Sequence, residues 1–273
     1  MIQGQIGSRT PRMELQGKTA LVTGANRGIG RAIAEALARE PLALLLAGTR
    51  APGEMDPIVA PPGGAREIRA VEIDLSSRAA IDRSAAGLPD IDLLVNNAGR
   101  LTGGLLEEQD LDEIYAMFQV NLVAVTHLTR ALLPGMLRRG HGKVVNNSSI
   151  SGYAYFPATT TYAAAKAGVV AFSEALRREV DGTGVSVLHL VTPGVRTDMG
   201  ESTLEVWGRH MDTSGWELQP ASDWARKVVA AIRSDDAVLG PGGKLALAKL
   251  ASRGPAWLLD AVSSRIFTRR SSS

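Results

Sequence analysis

Between Lys18 and Val191, six short runs of strand type alternate with stretches of helical periodicity. The runs are KTALVTG (18–24), LALLLAG (42–48), REIRAVEI (66–73), IDLLVNN (91–97), GKVVNNSS (142–149) and GVSVLHLV (184–191). Between them, residues 28–39 place Ile29, Ile33, Ala36 and Leu37 on one helical face. Further helices are predicted after Ser76, from Leu111 to Leu137 with a break near Pro134, and over 161–180. Buried strands separated by helices are what parallel pairing with right-handed crossovers requires. The chain is therefore predicted to form an α/β fold, a doubly wound parallel sheet, as a single domain over 15–243. The Pro- and Gly-rich stretch 52–64 reads as loop, 198–222 as an irregular lid, and AVLGPGG (237–243) as a last strand. Residues 1–14 read as a flexible leader. Residues 244–273 read as a basic, amphipathic C-terminal helical extension, with six Lys/Arg and one acid between Lys244 and Arg270.

Composition narrows the function classes. Thirty Lys+Arg against 28 Asp+Glu give a net charge of +2, and no block of five basic residues occurs, so no nucleic-acid partner is expected. The absence of cysteine removes disulfides, thiolate metal sites and cysteine nucleophiles. The four histidines (127, 141, 189 and 210) have no metal-ligand spacing, so no metal is expected, and His189 reads as a core residue. The first residues lack the apolar core of about 7–15 residues of a secretory signal, and no apolar run reaches the ~18–20 residues of a membrane span. A cytoplasmic location is expected.

The first run ends in Thr23-Gly24-Ala25-Asn26-Arg27-Gly28-Ile29-Gly30, which opens the first helix. Glycines allow a tight turn and close backbone approach, and a helix N-terminus offers free N–H groups to a pyrophosphate. A strand before this turn and a helix after it make it a candidate Rossmann-type dinucleotide site. The second run ends in Ala47-Gly48-Thr49-Arg50, with no acid for a ribose 2′-hydroxyl until Glu54. Arg27 and Arg50 are instead available to a 2′-phosphate, which favours NADP(H) over NAD(H).

Tyr162 and Lys166 stand four apart on a predicted helix, so both side chains share one face. A neighbouring ammonium favours phenolate and is expected to lower the tyrosine pKa. With these residues the chain resembles the short-chain dehydrogenase/reductase family over about 15–200. Thr23-Gly24-x3-Gly28-x-Gly30 is similar to its cofactor loop, Asp74 and Leu75 in EIDLS to its adenine contact, and Asn96-Asn97-Ala98-Gly99 to the motif closing its fourth strand. Asn121 in QVNL and Ser149 in NSSISG match its catalytic asparagine and serine. Pro193-Gly194-Val195 follows the sixth strand, where the family's nicotinamide-side loop begins.

The resemblance implies an oxidoreductase that interconverts a ketone and a secondary alcohol. Tyr162 would be its acid/base, Ser149 would bond the reacting oxygen, and Lys166 would assist the tyrosine and hold the nicotinamide ribose. Asn121 would link Lys166 to solvent through its backbone and a water. Thr197, one position nearer the proline than the family's threonine, would reach the carboxamide. Tyr153, Tyr155 and Phe156 are expected to line the substrate pocket, and Trp207, Met211 and Trp216 point to an apolar substrate. The competing reading is a non-catalytic dinucleotide-binding scaffold or regulator, which would need no proton donor. A homo-oligomer is expected. The extension is read first as a helix packed on protein, and second as a peripheral membrane contact through 244–270.

Overall fold

A computed structural model describes residues 13–234 and 236–240. The elements run β1 (Thr19–Thr23), α1 (Gly28–Leu37), β2 (Leu44–Thr49), β3 (Ile68–Glu72), α2 (Arg78–Ala86), β4 (Leu93–Asn96) and α3 (Leu111–Phe118). They continue as α4 (Ala124–Arg139), β5 (Gly142–Ser149), α5 (Thr160–Glu179), β6 (Val185–Thr192), β7 (Val195–Arg196) and α6 (Asp198–Gly208). β8 (Gln219–Pro220), α7 (Ala221–Arg233) and β9 (Val238–Leu239) follow. Seven strands form one parallel sheet in the order β3-β2-β1-β4-β5-β6-β9. All six expected strands are present, and the last one completes the edge. The leader up to residue 12 and the extension over 244–273 lie outside the described residues. Met13, assigned to the leader, packs on the core.

Alternation along the strands separates two apolar layers. Ala20 and Val22 face Ile33 and Leu37 of α1 and Trp224, Val228 and Ile232 of α7. Leu21 faces the other way, into a layer with Ile81 of α2, Leu128 and Met136 of α4 and Leu176 of α5. Burial of such side chains, about 1.5–3 kcal/mol each, supplies the main driving force for the fold. Strand order reverses between β1 and β4, and in open α/β sheets ligands bind in the crevice at such a switch point.

Three local features differ from the sequence expectations. The long helix does not break at Pro134, which lies inside α4. Pro134 is exposed, so the Arg130 carbonyl that loses its helical partner faces water. The irregularity falls instead at Gln119–Val123, a π turn centred on the buried Asn121. The whole stretch Leu111–Arg139 is long and apolar enough to cross a membrane, yet here Ala124, Leu128 and Met136 pack it against the sheet. Finally, residues 198–208 of the expected irregular lid are helical. Thr197 caps α6 by accepting the Gly200 N–H at 3.0 Å, and Asp198 and Glu201 complement the positive end of the helix. The lid segment hangs between β7 and β8, which pair Val195 with Gln219 and Arg196 with Pro220.

Candidate active site

The glycine turn sits at the carboxyl end of β1, on the crevice. Gly24 and Gly28 have φ of +68° and +58°. A Cβ on Gly24 would lie 2.9 Å from the Ala98 Cα, and one on Gly30 would lie 2.1 Å from the Gly24 carbonyl oxygen. The turn is therefore closed to side chains by backbone. Arg27 caps α1 without any side-chain hydrogen bond, and the first turn carries no acid. That leaves the N–H groups opening at Gly28, Ile29 and Gly30 without a capping side chain, which fits an anionic group such as a pyrophosphate.

The neighbouring cofactor candidates converge on this turn. The Thr23 hydroxyl accepts the N–H groups of Asn97 and Ala98 at 2.9 and 3.0 Å, and the Asn97 amide donates to the Thr23 carbonyl at 3.1 Å. Gly99 lies beside Asn121, whose Oδ1 would be 3.3 Å from a Cβ there. Thr197 stands over Gly28, its Cγ2 3.3 Å from where a Cβ would be, and so brings Pro193, Gly194 and Val195 to the same side. Asn26 and Arg27 are exposed at the rim, and Arg27 reaches Asp198 at 4.0 Å. Arg50 is exposed beyond β2. Asp74 accepts the Ser76 N–H, and that bond, together with the charges of Arg50 and Arg83, holds its carboxyl below the usual range. The Leu75 carbonyl accepts from Gln119 at 3.2 Å.

Ser149, Tyr162 and Lys166 come together at the ends of β5 and α5. The Ser149 hydroxyl accepts the Ser151 N–H at 3.2 Å and stands near enough to the Tyr162 phenol to favour its charged form. Ser148 is engaged elsewhere, donating to the Lys166 carbonyl at 2.9 Å. A Cβ on Gly152 would meet that same carbonyl at 2.9 Å, so glycine lets the Ser149 turn close on α5. The Lys166 ammonium donates to the Asn147 carbonyl at 2.9 Å and stands 5.7 Å from the Tyr162 ring centroid. Asn121 clamps Arg100 from both sides, its Oδ1 accepting the N–H and its amide donating to the carbonyl.

The electrostatics depart from the sequence expectation. Burial pushes the Tyr162 phenol up to about 12, with the Ser149 hydroxyl pulling against it, rather than a lysine drawing it down. Burial also lowers the Lys166 ammonium to about 8. Both are desolvation effects, which disfavour whichever form is charged.

The tyrosines of the Ser149 loop divide. Tyr153 is buried against Val170 and Val191, its hydroxyl 2.8 Å from His189, so it supports the loop from beneath instead of lining a pocket. Tyr155 is 54% exposed at the rim. Phe156 joins Ala158, Leu101, Trp207, Met211 and Trp216 in an apolar cluster that includes Tyr162. Trp207 meets Tyr162 edge-on at 6.0 Å and Trp216 at 5.8 Å. Sequence reasoning missed Gly103, whose absent Cβ would lie 2.5 Å from the Trp207 indole nitrogen. It also missed Ala158, a buried residue at φ +63° whose carbonyl accepts the Gly104 N–H. It missed Asn147 as well, although two amides in a buried strand require partners.

The family model of short chain dehydrogenase matches residues 18–206. The chain belongs to the short-chain dehydrogenase family. As a family member it is an oxidoreductase acting on alcohol or carbonyl groups. It is 38% identical over 228 residues to the 3-oxoacyl-[acyl-carrier-protein] reductase FabG of Haemophilus influenzae, covering 82% of this chain and 93% of that relative. Among solved structures, a short-chain dehydrogenase from Streptomyces avermitilis superposes with a TM-score of 0.73 at 30% identity, covering 91% of this chain and 95% of that one. A short-chain dehydrogenase from Sphingobium yanoikuyae in complex with NADPH superposes at 0.70 and 25% identity, covering 93% and 98%.

Proposed function

We propose that this dehydrogenase is an NADP(H)-dependent ketoreductase that converts an apolar ketone to a secondary alcohol. The reading is carried by the convergence of Ser149, Tyr162 and Lys166 at the mouth of the crevice that holds the glycine turn. Reduced nicotinamide, when bound, supplies the hydride that the carbonyl carbon takes up. The chain's own residues handle the oxygen. Tyr162, protonated across the physiological range because burial raises its pKa, gives its proton to the oxygen as the alcohol forms. Ser149 donates a hydrogen bond where negative charge grows. Lys166 stays beside the phenol, Asn121 serves proton return through its backbone, and Tyr155 contacts substrate at the rim.

The cofactor-binding set is Gly24, Asn26, Arg27, Gly28, Ile29, Gly30, Arg50, Asp74, Leu75, Asn97, Ala98, Gly99, Tyr162, Lys166, Pro193, Gly194, Val195 and Thr197. Arg50 takes the 2′-phosphate, with Arg27 as second cation once it leaves Asp198. The NADPH complex of the Sphingobium relative supports this preference. Phe156, Trp207, Met211 and Trp216 supply an apolar wall for the substrate. The same reading puts the enzyme in the cytoplasm as a homo-oligomer, for which the exposed Leu111, Tyr115 and Val123 offer contact surface.

Equilibrium binding of NADPH and NADH, followed by a ketone screen begun with 3-oxoacyl thioesters, tests the proposal. Tight NADPH, weak NADH and ketone-dependent NADPH oxidation are expected. Arg50→Ala should weaken NADPH by roughly tenfold or more while leaving NADH unchanged. Tight NADPH with no turnover on any ketone would support the scaffold reading instead.

A further inference from the structure

Beyond the Ser149, Tyr162 and Lys166 set, one side chain joins the proton-transfer group to the cofactor crevice. The ladder between β4 and β5 stops at Asn96–Asn146, whereas β5 continues along β6 to Ser149–Thr192. Asn147 is thus the first β5 residue past the end of the β4 ladder, and it is 8% exposed. Three of its polar atoms are engaged there. Its amide nitrogen donates to the Asn97 Oδ1 at 2.9 Å, and its Oδ1 accepts the Thr192 hydroxyl at 2.5 Å. Its backbone carbonyl accepts the Lys166 ammonium at 2.9 Å. Asn97 in turn holds the Thr23 carbonyl at the head of the glycine turn, and Thr192 precedes Pro193 and Gly194.

We infer that Asn147 is a positioning residue: its side chain locks the carbonyl that aims Lys166 to the two segments, Asn97 and Thr192–Gly194, that flank the cofactor crevice. Seating of the cofactor and aim of the ammonium are then one rigid unit. A buried, hydrogen-bonded amide network defines a single geometry, whereas an apolar residue at 147 would leave the Asn97 Oδ1 and the Thr192 hydroxyl unpartnered. Among the described residues no carboxylate pairs with the Lys166 ammonium, so its placement rests on this carbonyl acceptor. The inference rests on Tyr162 and Lys166 being the proton-transfer pair.

Asn147→Val and Asn147→Thr form the test, because the two side chains have the same shape and only threonine retains a donor and an acceptor. Asn147→Val should lower kcat by about tenfold to a hundredfold, the scale of a slight misplacement. It should also move the limb of the kcat–pH profile by about one unit and weaken NADPH binding several-fold, with KM for the ketone changing little. Asn147→Thr should recover most of each. Thr192→Val, which removes one partner from the far end, should show the same signature more weakly, and it keeps the test open if Asn147→Val folds poorly. Equal behaviour of the valine and threonine variants, or loss of thermal stability with the pH profile in place, would overturn the inference alone. Absence of any turnover dependent on Tyr162 and Lys166 would overturn the proton-pair reading and this inference with it.

Discussion

The floor of the crevice and the lid above it are built on opposite plans. On the floor, Thr23, Asn97, Asn147, Thr192 and Lys166 form a continuous buried hydrogen-bond network between strand ends. The lid is held by aromatic and apolar contacts, and two of its buried nitrogens, Trp207 Nε1 and His210 Nδ1, have no partner. A satisfied polar network has one good geometry, whereas apolar contacts tolerate repacking. Chemistry is therefore assigned to the rigid part and substrate choice to the adaptable one.

The largest contrast should come from two glycine substitutions. In Gly30→Ala the new methyl meets the Gly24 carbonyl oxygen at 2.1 Å and the Asn97 side-chain amide at 2.4 Å, and the backbone oxygen cannot yield. Loss of about 1–3 kcal/mol of stability or more, together with loss of NADPH binding, is expected by thermal melts and titration. In Gly103→Ala the methyl meets the Trp207 ring at 2.5 Å, and a side chain can shift. Its stability loss should fall at the low end of about 1–3 kcal/mol, with NADPH affinity intact and KM for ketones altered. Equal damage from both would erase the distinction.

A pH series sharpens the account of the floor. Lys166 has its pKa lowered from 10.5 to about 8, so between those values the unfolded chain holds more protons than the folded protein. Stability from this group therefore rises as pH climbs from about 8 to 10.5 and is lost as pH falls through 8. Tyr162 acts with the opposite sign, from 10 upward to about 12. Denaturation of the wild type and of Lys166→Met between pH 8 and 10 should show the rising component in the wild type alone. The smallest effect belongs to the lid. Trp207→Phe deletes an unpartnered buried N–H but also removes ring volume from the cluster, so the two effects oppose each other and the net loss should stay below about 1 kcal/mol. A loss of several kcal/mol would contradict the offset.

The two regions also differed in how well the sequence announced them. Strands β5 and β6 coincide almost residue for residue with the runs 142–149 and 184–191, which the β-branched residues Val144, Val145, Val185, Val187 and Val191 mark as strand. The Ser149, Tyr162 and Lys166 trio was legible through the family resemblance, since the Tyr-Lys spacing alone decides little. Helix α6 was not, since one buried residue, Trp207, anchors it and no apolar stripe results. Its signal was the cap at Thr197 followed by Asp198 and Glu201. The π turn at Asn121 escaped because one inserted residue barely alters helical periodicity, while Pro134 offered a plainer but misleading breaker. Alternation alone did not separate the buried Tyr153 from the exposed Tyr155.

The central claim is that Tyr162 gives the proton while the rest of the crevice holds the cofactor. The most direct test is single-turnover ketone reduction by Tyr162→Phe beside NADPH titration of the same preparation. A fall in rate of about 10²–10⁴-fold with NADPH affinity within a few-fold of the wild type is predicted. Turnover at the wild-type rate in Tyr162→Phe would contradict it.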